Sequence, residues 1–384
     1  MSLRQRYNRF CILFLIVCVL PVASAAQISR VDGVPRLAIR DPLISDRDDD
    51  WSFQQIYALV VDGRGRIYAW DSEDYKIRIF DSSGKAVRLL GSKGQGPGEL
   101  SQLGHLTVSN DTLWVSEIIS NRVTAFASNS EGYRTVTVVP KSGGNVVAKL
   151  SNGFLVNVTS TDLGGSTRSE VIDRTGDVRA VVVTSRTKTK VLTYDVVQEN
   201  VKSGPIVGRQ VLLQPYVMQG GLHTFPDGNG FISANLAELI GNTIVLKSIA
   251  GDGSQIWETR TRFQPISFTE ADFQKAVEKL IAPTVVKGMR IVGNRKMIID
   301  SLVRPKFWPA FTSVVLGIDK SIWLKAGSQD ADASIFWQFS SKGVFERRVR
   351  IPADVRVMAA SQSHLWGTRR DADGNPTIER YVIK

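Results

Sequence analysis

His105, His223 and His364 are the three histidines of this 384-residue chain, and they are its plainest carriers of chemistry. Imidazole titrates near neutrality, so it can serve as general base, general acid or metal ligand. His105 falls inside the apolar run LGHLTV and His223 inside GLHTF, which places both on short strands. As a pair they are the candidate catalytic residues. Their offsets from the turn that follows differ by one residue, and a one-residue slip reverses the facing of a strand. The same pattern therefore also fits two buried, hydrogen-bonded rings. His364 adjoins a turn and is expected at the surface.

Carboxylates and amides that close short apolar runs form a second set. Asp71, Glu73 and Asp74 follow IYAW, and Glu117 and Asn121 follow LWVS. Asn235, Asn242, Asp330 and Asp332 close later runs. Oxygen ligands gathered around one opening would suit Ca²⁺, which takes six to eight of them. Asp71, Glu117 and Asn235 are the candidate metal ligands, and Ca²⁺ is the one cofactor this pattern could hold. The plainer role is that turn aspartates accept amides of their own turns, which requires no cofactor.

The stretch GSKGQGPGEL at 91–100 raises the question of phosphate binding. A P-loop needs GxxxxGK[ST] between a strand and a helix. Lys93 is not so placed, and no helical pattern follows. A sharp crossing between two sheets, made possible by glycine, accounts better for the composition. Glu99 remains a binding candidate, either capping loop amides or facing an opening. No GxSxG, HExxH or CxxC occurs.

The elements that must position these groups begin after a leader. MSLRQRYNRF, the run CILFLIVCVL and PVASAAQ read as a secretory signal peptide over residues 1–26. Its apolar run is too short for a bilayer span of about twenty residues. Cys11 and Cys18, the chain's two cysteines, both lie there, so the mature chain has no disulfide or thiolate site. The formal charge is +11, of which Arg4, Arg6 and Arg9 contribute three, leaving +8 after cleavage. Basic and acidic residues are interleaved without a cluster of the kind that tracks a phosphate backbone. Nucleic acid is therefore not an expected partner, and the mature protein is expected in the periplasm or outside the cell without a membrane span.

An internal repeat sets the architecture of residues 27–384. GRIYAWD, DTLWVSE, NGFLVNV, NGFISAN, KSIWLKA and SHLWGTR share a turn followed by large apolar residues. Anchored at Ile67, Leu113, Phe154, Phe231, Ile322 and Leu365, they are separated by 46, 41, 77, 91 and 43 positions. Three gaps match a four-stranded propeller blade of about 40–50 residues, and the other two hold insertions. The expectation is an all-β fold, a six-bladed β-propeller. The last unit lacks a fourth strand, so VPRLAIR (34–40) is expected outermost in blade six, closing the ring. Trp114, Trp323 and Trp366 recur at one repeat position and read as blade packing. Trp308 is the aromatic kept as a partner contact.

A helical insertion is expected at about 264–306, between blades four and five. Phe273, Val277, Leu280 and Ile281 share a helical face, with Ser267 and Glu270 as a capping box. RKMIIDSLVR (295–304) is a second helix, stopped by Pro305. The insertion at about 184–220 reads as extra strands or long excursions.

YAWDSEDYKIRIFDSSGKAVRLLGSKGQGPGEL resembles an NHL repeat: a strand ending in Asp, a basic residue with Ile, then a Phe-Asp-x-x-Gly turn. The segment is similar to a bacterial family of six-bladed β-propellers that follows its first blade with a Gly-Pro-Gly-Glu-Phe loop. Gly96-Pro97-Gly98-Glu99 matches that loop, with Leu100 in place of Phe. The resemblance implies the fold and is nearly silent on chemistry. The carboxylate ring resembles that of gluconolactonase-like propellers. Binding of a protein partner or small ligand at the channel mouth is the favoured function. A metal-dependent hydrolase, lactonase or lyase at the same opening is the alternative.

Overall fold

The computed structural model describes residues 28–44, 51–118, 120–127, 132–159, 167–185, 191–199, 206–213, 221–236, 242–282, 284–286, 289–327, 330 and 332–384. The leader, on which the expectation of export rests, lies outside them.

Six four-stranded antiparallel blades follow one another along the chain. Blade one comprises Ile56–Val61, Ile67–Asp71, Lys76–Phe80 and Ala86–Leu90. Blade two comprises Leu103–Ser109, Thr112–Glu117, Arg122–Ala127 and Tyr133–Thr137. Blade three comprises Asn145–Leu150, Gly153–Thr159, Thr167–Ile172 and Val178–Ser185. Blade four comprises Gly221–Thr224, Phe231–Leu236, Thr243–Ile249 and Gln255–Arg262. Blade five comprises Phe311–Leu316, Ile322–Ala326, Ala333–Phe339 and Phe345–Pro352. Blade six supplies Arg356–Ala360, His364–Arg370 and Pro376–Val382, with Ile39–Ile44 paired to the last of these.

The repeat is legible because each second strand is covered on both faces by neighbouring blades. IYAWD is buried at every position, so the usual alternation gives way to an unbroken apolar run. Tyr68, Trp70, Leu106, Leu113 and Phe126 fill the space between blades one and two. Trp323, Phe336, Leu365 and Tyr381 do the same between blades five and six. The hairpins reuse one device. Asp62 accepts the amides of Arg64 and Arg66, each at 2.9 Å. Asp81, Asp173 and Asp371 repeat this in their own turns.

The N-terminal segment runs along the outer edges of three blades in succession. Ile28–Arg30 lies parallel to Arg260–Arg262 of blade four, and Arg36–Leu37 parallel to Val349–Arg350 of blade five. Ile39–Ile44 then pairs antiparallel with blade six, Ile39 opposite Val382. The residues on blade six are thus later than the expected 34–40. Ala38 is buried against blades five and six and marks the step between them.

The two insertions meet. Val191–Glu199 and Ile206–Leu213, between blades three and four, pair with each other. Val191–Glu199 also pairs with Met289–Gly293, which pairs with Thr284–Val286. These form a further four-stranded sheet with α1 (Glu270–Ile281) and α2 (Arg295–Ser301) beside it. Helix α1 begins two residues later than expected. Its capping box joins Thr269 to Asp272, not Ser267 to Glu270. Ser267 pairs with Phe307 in the stem of the insertion, which keeps the backbone extended up to the cap. Helix α2 ends at Ser301 with Leu302 as its C-cap, short of Pro305. Among the described residues no helix is long and apolar enough to cross a membrane.

Candidate functional site

Inner strands run from the face where the chain crosses between blades to the face of their first hairpins. On the hairpin face the turn of blade four reaches the axis. The Val108 amide of blade two donates to the Pro226 carbonyl at 2.7 Å, and the Ser151 amide of blade three donates to the Gly228 carbonyl at 3.1 Å. From blade five, the Lys320 ammonium donates to both oxygens of Asp227, at 2.7 and 2.6 Å. It also lies 4.3 Å from the centre of the Phe225 ring. A turn bonded to three other blades plugs the axis at this end.

His105 and His223 each stand three residues before a plug residue, Val108 and Pro226 respectively. At about 3.3 Å per residue they lie about 10 Å above the plug. Protein surrounds both rings, though each residue keeps some accessible surface. Burial pushes the His105 imidazole down to about 4. Burial does the same for His223, also to about 4, and the charge of His105 adds to the effect. The two rings are therefore electrostatically coupled. Gly221 leaves room for the second: a Cβ there would stand 3.3 Å from His223 Nε2. At neutral pH each ring is uncharged and offers one donor and one acceptor.

The acidic candidates have other work. Asp71 is fully buried and accepts the amides of Gln54, Gln55 and Glu73 at 2.7, 3.2 and 3.0 Å. Glu117 is equally buried and accepts the Ser101 amide at 2.5 Å, the Ser101 hydroxyl at 2.8 Å and two donors of Arg122. In both blades the acid ending the second strand fastens the segment leading into the inner strand. Burial pushes the Glu117 carboxyl up, and Arg122 with Ser101 more than reverses this, leaving it below the ordinary range. Asp74 holds the Lys76 amide at 2.9 Å and Arg78 at 2.7 Å, and Glu73 is exposed.

Asn121 has a φ of 50°, accepts the Val146 amide at 2.8 Å and so links blades two and three. Asn235 donates to Ser233 at 2.7 Å. Asp330 accepts the amides of Asp332 and Ala333 at 3.0 and 3.1 Å. Among the described residues no three His, Asp, Glu or Cys side chains converge as a metal site would require. Asp71, Asp74 and Glu117 accept from turn amides and from guanidinium groups. Trp308 is half-buried and packs on Phe268, ring centres 5.1 Å apart, within the stem of the insertion.

The glycine-rich stretch folds onto Arg122, which donates to the carbonyls of Gln95, Gly94 and Glu99 at 2.5, 3.3 and 2.9 Å. Glu99 accepts the Gly96 amide at 2.7 Å. A Cβ at Gly94 would meet the Glu99 carboxylate at 2.0 Å. A phosphate cradle turns amides outward. This loop turns carbonyls inward onto a cation, as a structural crossing does.

One site escaped the sequence. Trp323 and Trp366 are buried as the repeat implies, but Trp114 is half-buried beside Lys149 and Arg134. The available signal was Lys149 itself, a cation within the inner-strand run NVVAKL.

The family described as six-bladed beta-propeller matches residues 47–150, which hold blades one and two and the inner strand of blade three. The chain is a six-bladed β-propeller. Among curated proteins no sequence matches it. A Bacteroides fragilis protein described as exported superposes on the propeller with a TM-score of 0.51 at 11% identity, over 93% of this chain and 99% of its own. Virginiamycin B lyase of Staphylococcus aureus gives a TM-score of 0.39 at 13% identity, over 90% and 99%. Regucalcin of Agrobacterium tumefaciens, a calcium-binding protein, gives 0.36 at 10% identity, over 90% and 95%. At 11% identity the likeness to the Bacteroides fragilis protein is one of fold.

Proposed function

We propose that this chain is an exported binding module that takes a small ligand or partner segment into the axis from the crossing face. His105 and His223 would be the polar groups that orient it. The observation carrying this reading is the placement of His105 and His223 on inner strands, each three residues from the blade-four turn or a residue bonded to it. Binding sites commonly hold a few convergent polar groups, and titratable groups shifted by burial mark functional sites more often than chance. Export rests on the basic and apolar leader. We also read the pairing of Ile39–Ile44 with blade six as the closure of the ring, which removes an open edge.

A metal-dependent hydrolase, lactonase or lyase is the second reading. It is the weaker one because Asp71 and Glu117 are each engaged by backbone amides. The test is retention of small molecules from an envelope extract by the wild type and by a H105Q/H223Q variant of unchanged melting temperature. A compound held by the wild type and lost by the variant supports axial binding. Identical retained sets refute it.

A further inference from the structure

A crevice of about 230 Å³ opens on the hairpin face, away from the axial histidines, between blades two and three. Ser109, Thr112 and Trp114 form one wall, Lys149 and Ser151 the other, and Asp227 of the blade-four turn closes one side. The Lys149 ammonium lies 5.1 Å from the centre of the Trp114 ring and 5.3 Å from that of Phe154. The Arg134 guanidinium lies 5.8 Å from the centre of the same Trp114 ring. Strand register explains the approach: Thr107, Trp114, Ala125 and Arg134 form one cross-strand row of blade two, facing blade three.

Arg174, in a turn of blade three, adds a third positive charge within electrostatic reach of Lys149. The crevice's acid does not balance them. Both oxygens of Asp227 accept from the Lys320 ammonium, and they also accept from the backbone and side-chain amides of Asn229. Among the described residues the Lys149 ammonium forms no ion pair, and it donates to the Leu150 carbonyl. Burial, followed by the charges of Arg174 and Arg134, brings the Lys149 ammonium down to about 8.

We propose that this crevice binds the phosphate or sulfate group of a small organic ligand through Lys149 and Arg134, with the Trp114 ring as a flat wall for the attached carbon skeleton. Lys149 lines the crevice, and the exposed Arg134 and Arg174 both act on its charge, so an oxyanion beside Lys149 relieves that repulsion and offsets the desolvation of the ammonium. The Ser109 and Ser151 hydroxyls supply neutral donors beside them. The crevice is smaller than sites for drug-sized molecules, so it suits one oxyanion with a small appendage.

The test measures acetylation of individual lysines of the intact protein at pH 8 by isotope-coded acetic anhydride. Inorganic phosphate, inorganic sulfate and chloride are compared at equal ionic strength. An oxyanion that raises Lys149 by one pK unit cuts its neutral fraction about fivefold. Lys149 should therefore slow about fivefold or more in phosphate or sulfate while exposed Lys342 is unchanged. A response to one anion alone identifies the ester. In parallel, K149M should abolish thermal stabilisation by that anion and R134M should weaken it several-fold. Equal Lys149 rates in all three salts would overturn the proposal. So would stabilisation that survives in K149M, the mark of an adventitious ion only.

Discussion

The amide of Val108 donates to the carbonyl of Pro226 at 2.7 Å, joining blade two to blade four across the axis. Blades separated by a third can bond only near the centre, so the turn of blade four is the floor of the axial space. Lys320 locks that turn through Asp227. K320M should loosen the floor and cost about 0.5–1 kcal/mol, since the pair is one-third exposed and screened by solvent. Hydrogen exchange should show faster exchange of the Val108 amide with most other core amides unchanged.

Glu117 and Arg122 are a buried pair on which the glycine-rich crossing also depends. E117Q removes the bonded counter-charge of the guanidinium, leaving only the more distant Glu99, and should cost about 3–5 kcal/mol in urea unfolding. Ca²⁺ should raise the melting temperature of neither the wild type nor this variant. A marked Ca²⁺ stabilisation of the wild type alone would restore the metal reading of Asp71 and Glu117.

The histidines make stability fall in mild acid. An unfolded imidazole titrates near 6.5, and His105 and His223 titrate at about 4 when folded. The folded state therefore binds fewer protons than the unfolded one between these values. Their contribution is complete above pH 6.5 and is lost as pH falls toward 4, by roughly 2–3 kcal/mol for each ring. The H105Q/H223Q variant should flatten this part of the pH–stability curve. An unchanged slope would mean that the rings are not buried as described.

Removal of residues 28–44 uncovers the edges of blades four, five and six. It also removes Arg40, which pairs with buried Glu379 at 2.6 Å, and Asp41, which pairs with Arg380. The truncated protein should melt earlier and run as larger species in size-exclusion chromatography. A D41R/R40E exchange should lower stability without exposing the edge, separating lost ion pairs from lost strand.

The blades were readable because the second strand of each, covered on both faces, leaves a run such as IYAWD, and three of the five spacings between such runs lie at 41–46 residues. The histidines were readable as inner-strand residues, but their coupling depends on how far blade four reaches inward, which no local pattern encodes. Asp71 and Glu117 were readable as acids at strand ends, but their bonds to amides of the preceding segment depend on how that segment folds back, which no local pattern encodes. The insertions could be seen as breaks in the period. Their pairing with each other could not, because Val191–Glu199 and Met289–Gly293 are about a hundred residues apart. Trp114 was masked by the repeat that explains Trp323 and Trp366, since only the neighbouring cations set it apart.

The central claim is that two neutral imidazoles face a common axial space and sense each other. Proton NMR titration of the histidine ring resonances, in the wild type and in H105Q, tests it most directly. Both rings should titrate below pH 5 in the wild type, and His223 should shift upward in H105Q as the neighbouring charge is removed. Titration of either ring near 6.5, or a His223 curve indifferent to H105Q, would contradict it.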